Sequence, residues 1–266
     1  MKIRLDKYLF DEGLSDSREK AKNEILAGYV KLNGETVRDP SYIIKDEIDI
    51  TINRPENIFV SRGGEKINKA LKYFSINVEG LVCADLGAST GGFTDCLLQR
   101  GAKKVYAIDV GYGQLDYRLR TDKRVIVMER TNARTISPEL FDETINFFVS
   151  DLSFISFTKI FPAIKSVALS AEGVFLLKPQ FESEGFELKK GVVRNDDDRL
   201  AIIQKTLREL TSMGMMVKGF TYSPIKGPKG NIEYLVHYSM ENPEKELNED
   251  MVLSSFKESL ALNEQK

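Results

Sequence analysis

Residues 81–95 read Leu-Val-Cys-Ala-Asp-Leu-Gly-Ala-Ser-Thr-Gly-Gly-Phe-Thr-Asp, and this stretch decides the fold. An apolar run ends in Asp85, a turn with three glycines follows, and a helix-like segment covers residues 93–100. Glycine allows the backbone to approach a bound ligand closely. The pattern predicts a buried strand, a tight loop and a helix, as at the nucleotide site on the carboxyl edge of a parallel sheet.

A second apolar run, residues 105–108, ends in Asp109, about 20 residues after the glycine loop, where an acid commonly holds ribose hydroxyls. A third run, residues 125–128, leads to Glu129 and Asn132, which we expect near an adenine ring. These positions predict a nucleoside cofactor. The residues expected to hold it are Asp85, Gly87, Ser89, Thr90, Gly91, Gly92, Asp109, Glu129 and Asn132.

The glycine spacing separates this loop from two similar ones. Residues 87–92 lack the dinucleotide pattern Gly-x-Gly-x-x-Gly, and Phe93 stands where a P-loop needs its phosphate-gripping lysine. A cofactor without a pyrophosphate remains, and S-adenosylmethionine fits best beside an acid after each of the first two strands. The alternative that the glycines only allow the turn between a strand and a helix, and hold no ligand, stays open at this point.

Later apolar runs alternate with segments of helical spacing. We predict strands over residues 145–151, 173–179, 216–222 and 232–238, and helices over residues 157–169 and 200–213. Alternating strands and helices predict a doubly wound, Rossmann-like α/β sheet whose ligands bind at the strand carboxyl ends. The charged residues expected at that edge are Asp85, Asp109, Asp151 and Lys178.

The composition is that of an ordinary soluble protein, with 42% hydrophobic residues and a net charge of −2. No apolar run reaches the ~18 residues of a membrane helix, and no signal peptide is visible, so we expect a cytoplasmic protein. Two cysteines and one histidine predict no disulfide framework, no metal site and no Ser-His-Asp triad. Residues 61–240 carry 25 basic and 21 acidic side chains, a mildly basic centre that permits RNA binding.

The first sixty residues predict a separate small module. Apolar residues at helical spacing begin the chain, and Ser15 or Asp16 can cap a second helix that Gly28 ends. A hairpin over residues 29–37 turns at Asn-Gly, and a further strand is expected over residues 47–52. The module is a helical hairpin followed by short strands.

This module resembles the S4 RNA-binding domain through Arg4-Leu5-Asp6-x-x-Leu9, Ser15-x-Ser17-Arg18-x-x-Ala21 and Gly28-x-Val30-x-Leu32-Asn33-Gly34. In such domains the second helix and the adjoining loop place basic side chains on structured RNA. The resemblance implies RNA contacts from Arg4, Lys7, Arg18, Lys20, Lys22 and Lys31. A solvated helix face is the alternative, since acids interleave with these cations.

The residues after the fourth predicted strand narrow the chemistry. Methylation of a base amino group typically needs Asn/Asp-Pro-Pro-Phe/Tyr, whereas residues 151–154 read Asp-Leu-Ser-Phe. Methylation of pyrimidine C5 needs a cysteine nucleophile, but Cys83 falls in a strand and Cys96 in a helix. No carboxylate cluster suits a metal route. A hydroxyl acceptor with a lysine base remains, since burial or a neighbouring cation can lower a lysine pKa.

The chain is similar to the TlyA family of bacterial rRNA 2′-O-methyltransferases, often labelled hemolysins, which place an S4 domain before an FtsJ-like domain. The motifs are Ser61-Arg-Gly-Gly-x-Lys66, residues 85–95, Asp151-Leu-Ser-Phe-Ile-Ser156, Lys178-Pro-Gln-Phe-Glu182 and Gly230-Asn-x-Glu233. The resemblance implies a catalytic tetrad of Lys66, Asp151, Lys178 and Glu233. It makes Lys178 the base for the ribose 2′-OH, with Lys66 and Asp151 tuning it and Glu233 holding Lys66 or the ribose.

We expect an S4-like domain over residues 1–56, a linker over 57–62, an FtsJ-like methyltransferase domain over 63–243 and an acidic tail over 244–266. Residues 57–60 read Asn-Ile-Phe-Val in place of the mycobacterial Arg-x-Trp-Val linker. The chain starts almost at the S4 motif, as in the shorter family type. We therefore expect the target to be a cytidine of large-subunit rRNA.

Functions of other classes compete with this hypothesis. A membrane-active hemolysin would need an exposed insertion segment, and none is evident. A non-enzymatic RNA-binding ribosome factor would not need the tetrad. Pseudouridine synthases also carry S4 modules, but the cofactor loop disfavours them.

Overall fold

The computed structural model describes residues 2–44, 48–53, 59–241 and 246–264. The chain divides into two compact units, Met1–Ile58 and Phe59–Lys266, each with a hydrophobic core of its own. The predicted domain ends at residues 56 and 243, and part of the predicted linker, lie outside the described residues.

Short elements make up the N-terminal unit, as predicted. In chain order they are β1 (Ile3–Arg4), α1 (Leu5–Asp11), α2 (Arg18–Ala27), β2 (Val30–Leu32), β3 (Glu35–Thr36), β4 (Ile43–Ile44) and β5 (Ile50–Ile52). β1 pairs with β4, and β2 lies between β3 and β5, all antiparallel. Asn33 and Gly34 have φ of 51° and 84°, the left-handed pair that a type I′ hairpin turn requires. The strand expected over residues 47–52 is observed from Ile50, and residue 47 lies outside the described part.

The second helix begins later than the sequence predicts. Ser17 caps α2, rather than Ser15 or Asp16, because its side chain accepts from the backbone N–H three residues on. Ser15 is buried, and its hydroxyl donates to Glu24. Gly28 ends the helix as predicted, in a left-handed conformation with φ of 79°.

The larger unit alternates strands and helices. Its strands are β6 (Val82–Leu86), β7 (Lys104–Ile108), β8 (Val125–Met128), β9 (Phe147–Ser150), β10 (Glu172–Leu177), β11 (Met216–Tyr222) and β12 (Tyr234–Ser239). Its helices are α3 (Gly63–Tyr73), α4 (Gly92–Gln99), α5 (Tyr117–Arg120), α6 (Phe161–Val167), α7 (Asp196–Ser212) and α8 (Glu249–Glu264). Short 3₁₀ turns lie between them, at Ala133–Thr135, Pro138–Leu140, Phe157–Lys159, Pro179–Phe181 and Pro228–Gly230.

The strands form a 7-stranded sheet in the order β11-β12-β10-β9-β6-β7-β8. The five strands from β10 to β8 in this order are parallel, whereas β12 is antiparallel to both β10 and β11. The doubly wound sheet is confirmed, with one reversed strand that the sequence pattern did not predict. The strand order reverses beside β6, so the ligand crevice of such sheets opens at the carboxyl end of β6.

The central strands are apolar because both faces of the sheet are covered. Every residue of β6 and β9 is buried, as expected for parallel strands between two helix layers. On one face Phe157 and Phe175 stack with ring centres 3.9 Å apart, and on the other Ile67 of α3 packs with Phe93 of α4. This packing holds the loops that follow the strands in place relative to one another.

Several predicted boundaries in this unit shift. The helix expected over residues 157–169 is a 3₁₀ turn followed by α6, which carries a proline near its start. The helix expected from residue 200 begins at Asp196, because Asn195 accepts from two backbone N–H groups of the first turn. Three acids follow in that turn, where the helix dipole favours negative charge.

The C-terminal segment is more than the acidic tail expected over residues 244–266. From Glu249 it forms α8, which packs against β11. Val252 and Phe256 are buried in the main core, and the hydroxyl of Ser255 donates to the Phe220 carbonyl at 2.8 Å. The two apolar residues are four apart, so they share one helix face and bury it together.

Candidate active site

The loop after β6 brings the starts of two helices together. Gly87 and Gly91 have φ of 86° and 95°, a region that favours glycine. A Cβ on Gly92 would lie 2.3 Å from Ser61 Oγ and 2.8 Å from the backbone nitrogen of Gly64. The glycines are therefore required for a close approach of α3 and α4, not only for a flexible turn.

Four charged side chains from distant parts of the chain meet in one row. Lys66 Nζ lies 2.8 Å from Glu233 Oε2 and 3.2 Å from Asp151 Oδ2. Lys178 Nζ lies 2.6 Å from Asp151 Oδ1, and it donates to Ser153 Oγ at 3.1 Å. We call Glu233–Lys66–Asp151–Lys178 the catalytic row, after the role that the family resemblance implies for these residues; its charges alternate in sign along this order.

Each member of the row is held by a different element. Lys66 belongs to the first turn of α3, Asp151 follows β9, Lys178 follows β10 and Glu233 precedes β12. Parallel pairing of β9 with β10 and antiparallel pairing of β10 with β12 bring these strand ends to one edge of the sheet. A Cβ on Gly227 would lie 2.2 Å from Glu233 Oε1, so this glycine lets its loop pack on the carboxylate.

Burial and pairing act against each other in the row. Burial lowers the pKa of Lys66, but Asp151 and Glu233 outweigh burial and leave this pKa raised. Burial raises the pKa of Asp151, but Lys178 and Lys66 outweigh it and leave this pKa lowered. Lys66 is thus held as an ammonium and Asp151 as a carboxylate. Asp151 lies between the two lysines and contacts the side-chain nitrogen of each.

The catalytic row and the glycine loop line the same cavity, which has a volume of about 510 Å³. The loop contributes Gly87, Ser89, Thr90 and Gly92, and the segment before α3 contributes Arg62. All four members of the row contribute as well. Small-molecule sites typically enclose ~300–1,000 Å³, so the cavity has the size of a ligand site.

Asp85 lies beneath the loop and does not line this cavity. Its side chain is 0% exposed, and Oδ2 accepts from the backbone N–H and the hydroxyl of Thr94 at 3.0 and 2.7 Å. Burial raises the pKa of Asp85 to about 7 despite these hydrogen bonds. Its Oδ1 has no hydrogen-bond partner among the described residues. Asp85 therefore joins the start of α4 to β6.

Gly91 of the loop does not line the cavity, and neither do Asp109, which follows β7, or Glu129 and Asn132, which follow β8. Asp109 Oδ2 accepts from the backbone N–H of Ser89 at 2.8 Å, which supports the glycine loop. Glu129 forms an ion pair with Arg120, and its pKa is lowered mainly by that hydrogen bond. Asn132 caps the 3₁₀ turn that follows it. The structure thus brings Asp109 to the loop, and Glu129 and Asn132 make local contacts.

Some cavity residues were not singled out by the sequence. Nothing in the sequence pointed to Ser153 except its position two residues after Asp151, yet its hydroxyl accepts a hydrogen bond from Lys178. Lys226 and Pro228 line the cavity from the loop before β12, which lies between the strands expected over residues 216–222 and 232–238.

Two aromatic side chains extend from the loops that carry the catalytic row. Phe154 is 90% exposed and has φ of 64°, an uncommon backbone conformation for a bulky residue. Its ring centre lies 5.0 Å from that of Phe181. Phe154 comes three residues after Asp151, and Phe181 comes three residues after Lys178. Both rings therefore sit close in sequence to the charged groups.

Within the N-terminal unit, a buried acid organises two of the predicted RNA-binding residues. Asp6 accepts from Arg4 Nε at 3.0 Å and from Arg18 Nε at 3.2 Å, and the two arginine side chains remain 46% and 54% exposed. The hydrogen bond from Arg4 is the main cause of a lowered Asp6 pKa. The remaining predicted RNA-binding residues are exposed or half-buried on α1, α2 and β2: Lys7, Lys20, Lys22 and Lys31.

The remaining nucleophiles and metal-binding types do not form a second centre in the described ranges. Burial raises the pKa of Cys83 and Cys96 to about 12, which disfavours either thiol as a nucleophile. His237 Nε2 bonds Glu172 Oε2 at 3.1 Å. Where the structure describes the chain, no three His, Cys, Asp or Glu side chains gather as metal ligands. The same residues include no helix with the length and apolar character of a membrane span.

Two family models match the chain. The one described as FtsJ-like methyltransferase covers residues 59–240, and the S4 domain covers residues 3–49. The matches fall on the two compact units separately.

Relatives match over most of the chain. The chain is 49% identical to hemolysin A of Brachyspira hyodysenteriae, over 89% of this chain and 99% of that protein. It is 42% identical to the 16S/23S rRNA (cytidine-2′-O)-methyltransferase TlyA of Mycobacterium tuberculosis H37Rv, over 88% and 89%. A solved structure of a hemolysin-named protein from Streptococcus thermophilus matches with a TM-score of 0.73 and 37% identity, over 99% of both chains. The chain therefore belongs to the TlyA family of FtsJ-like methyltransferases.

Proposed function

We propose that this enzyme transfers a methyl group from S-adenosylmethionine to a ribose 2′-hydroxyl of ribosomal RNA, with a cytidine of the large subunit as target. The observation that carries the proposal is the catalytic row in the wall of the cavity that the glycine loop also lines. Relatives support the acceptor: TlyA of M. tuberculosis is named for the cytidine 2′-oxygen of 16S and 23S rRNA. TlyA of Campylobacter jejuni, 32% identical to this chain, is named for 23S rRNA alone.

The residues around the cavity fit the proposed cofactor. The loop leaves no room for a side chain at Gly92, and Asp109 holds the backbone of Ser89, so the loop is preformed. When bound, S-adenosylmethionine supplies a methyl group activated by a positively charged sulfur. The proposed contacts are Gly87, Ser89, Thr90 and Gly92 in the cavity, with Asp85, Gly91 and Asp109 shaping the loop and Glu129 and Asn132 toward the adenine end.

Lys178 is the proposed base. Methylation of the ribose oxygen requires its proton to leave, and Lys178 Nζ, in its neutral amine form, receives that proton. The ammonium that results is stabilised by Asp151, 2.6 Å away. Lys66 is less suited to this role because two carboxylates, of Asp151 and Glu233, keep it protonated. Lys66 instead fixes the carboxylate that serves Lys178.

The proposed RNA contacts lie on both units. The S4 domain would bind rRNA through Arg4, Arg18 and the lysines of the same unit, as S4 domains do. The exposed ring of Phe154, beside half-buried Phe181, offers aromatic surface near the catalytic row, which suits stacking on an unpaired base. We place an enzyme with this substrate in the cytoplasm, with rRNA or a ribosomal subunit as its partner and no metal.

The test is methyl transfer from labelled S-adenosylmethionine to ribosomal subunits and deproteinised rRNA of an unmethylated host. The key variant is Lys178→Arg, which keeps a positive charge beside Asp151 but cannot release a proton at neutral pH. We expect it to lose roughly 10²- to 10⁴-fold in rate, the usual contribution of a general base. Lys123→Arg, the same change on an exposed loop, is the matched control and should retain the wild-type rate.

The position of the label decides between the alternatives. A methylated 2′-oxygen blocks alkaline cleavage of the adjacent phosphodiester, so the label should be recovered in an alkali-resistant dinucleotide. Label recovered on a free base would refute the proposed acceptor. Full activity of Lys178→Arg would refute the proposed base, and cofactor binding without any transfer would favour an RNA-binding factor.

A further inference from the structure

Two loops beside the cavity carry a cluster of exposed cations. Lys189, Lys190 and Arg194 come from the segment between β10 and α7, and Lys226 and Lys229 from the loop between β11 and β12. We call these five residues the basic rim. In residues 187–194 and 226–231, which contain the rim, Glu187 is the only acid. The rim is therefore positive in a chain whose net charge is −2, although three acids follow Arg194 in the first turn of α7.

Hydrogen bonds join the two loops. Lys229 Nζ donates to the Lys190 carbonyl at 3.0 Å, and Asn231 Nδ2 donates to the Gly191 carbonyl at 3.2 Å. Asn231 is only 7% exposed, so this second bond is well protected from water. Lys190 and Lys229 have φ of 56° and 59°, backbone conformations that tertiary contacts must maintain. The rim is thus a built surface and not two independent loops.

The rim is continuous with the catalytic cavity. Lys226 lines that cavity together with Lys178 and Glu233. The next residue, Gly227, packs on the Glu233 carboxylate. Arg194 lines a smaller neighbouring cavity of about 260 Å³ with Asn231. A polymer whose sugar enters the catalytic cavity would therefore pass along the rim.

The rim cations make no ion pair with any acid among the described residues. Elsewhere in the same unit several exposed cations are paired with acids, as for Lys103, Arg118, Arg124 and Lys218. Unpaired like charges held close together repel one another, and a polyanion relieves that repulsion while releasing its counterions. The rim has the electrostatic character of a phosphate-binding surface.

We propose that the basic rim binds the RNA phosphodiester backbone next to the nucleotide whose ribose enters the cavity. The proposal rests on the proposed function for the identity of the polymer, but its test does not depend on methyl transfer. RNA is favoured over an acidic protein because the rim opens onto a cavity that must receive a ribose. The rim would hold the strand in register and contribute to affinity without reading sequence.

Binding of in-vitro-transcribed large-subunit rRNA is measured by fluorescence competition from about 50 to 300 mM salt. The test variant is Lys189→Gln/Lys190→Gln/Lys226→Gln in the full-length chain. With about 0.7 counterions released per contact on single strands, the slope of log K against log salt should become shallower by roughly 2. Affinity at 0.1 M salt should fall at least about tenfold. The control Lys123→Gln/Lys257→Gln removes exposed charges away from the rim and should keep the wild-type slope.

Further measurements distinguish an effect of the rim charges from a folding defect and from failure of the proposed function. The arginine triple at positions 189, 190 and 226 keeps the charges and should restore the slope. Calorimetric binding of S-adenosylhomocysteine should be unchanged in the glutamine triple, showing an intact cavity. Three results would overturn the proposal. They are an unchanged salt slope in the glutamine triple, an equal loss of rRNA affinity in the control, and a loss of binding to intact subunits but not to free rRNA. Absence of methyl transfer by the wild type would refute the proposed function and leave this binding result unaffected.

Discussion

Replacing Asp85 by asparagine tests whether this carboxyl serves the fold or the cofactor. The sequence pattern places Asp85 among the cofactor residues, whereas the structure buries it under the glycine loop with Thr94. The asparagine carbonyl can accept from Thr94 as the carboxylate does. The substitution therefore keeps the packing and removes the ionisation.

The expected magnitude follows from the pKa of Asp85. Burial raises this pKa from 3.8 to about 7. The Asp85 carboxyl ionises near pH 4 in the unfolded chain but only near pH 7 in the folded protein. The free energy of unfolding of the wild type therefore falls as the pH rises from about 4 to about 7, and it stays level above that. A difference of about 3 units at 1.36 kcal/mol per unit corresponds to roughly 4 kcal/mol in all. Between pH 4.5 and 8, the free energy of unfolding of the wild type should fall by roughly 3 kcal/mol relative to Asp85→Asn.

Urea unfolding of both proteins at half-unit pH steps measures this difference, since the titrations of all other groups cancel. A constant difference from pH 4.5 to 8, or one that grows in the opposite direction, would refute the buried-carboxyl argument. Calorimetry with S-adenosylhomocysteine at pH 7.5 provides the functional readout. We expect binding within a few-fold of wild type, whereas a loss greater than about tenfold would return Asp85 to the cofactor site.

Three further substitutions test the site and the RNA-binding unit. Lys66→Met leaves the buried carboxylates of Asp151 and Glu233 without a shared partner. We expect urea unfolding to show a free energy of unfolding lower by roughly 3–5 kcal/mol, partly recovered on adding Glu233→Gln. An effect below about 1 kcal/mol would contradict the pairing. Gly92→Ala adds a methyl group where two helix starts meet, so it should cost about 1–3 kcal/mol and weaken S-adenosylhomocysteine binding in calorimetry; wild-type behaviour would show that the helices separate easily. Asp6→Asn releases two arginines of the N-terminal unit, and fluorescence competition should show about tenfold weaker rRNA binding with S-adenosylhomocysteine binding intact; equal weakening of both would indicate a folding defect.

The sequence predicted the elements whose local signals are strong. β8 and β11 occupy the ranges expected from their apolar runs, and Asn33-Gly34 forms the hairpin turn that its backbone preference requires. Signals at helix starts were weaker, because Ser15, Asp16 and Ser17 are all capable caps. The choice of Ser17 depends on the burial of Ser15 against Glu24, a tertiary contact.

The strand and loop motifs predicted the sheet class, the glycine loop and the position of Asp151 and Lys178 at one sheet edge. Lys66 and Glu233 were predicted only through the resemblance to the TlyA family. Only the tertiary structure showed which carboxylate is buried in the fold and which contacts the lysines of the cavity. Asp85 lies near the end of β6 and Asp151 directly follows β9, yet Asp85 is buried against Thr94, whereas Asp151 lies between two lysines. The direction of β12 and the joining of the two rim loops were likewise undetermined by sequence. They depend on contacts between residues far apart in the chain, and local periodicity carries no information about such contacts.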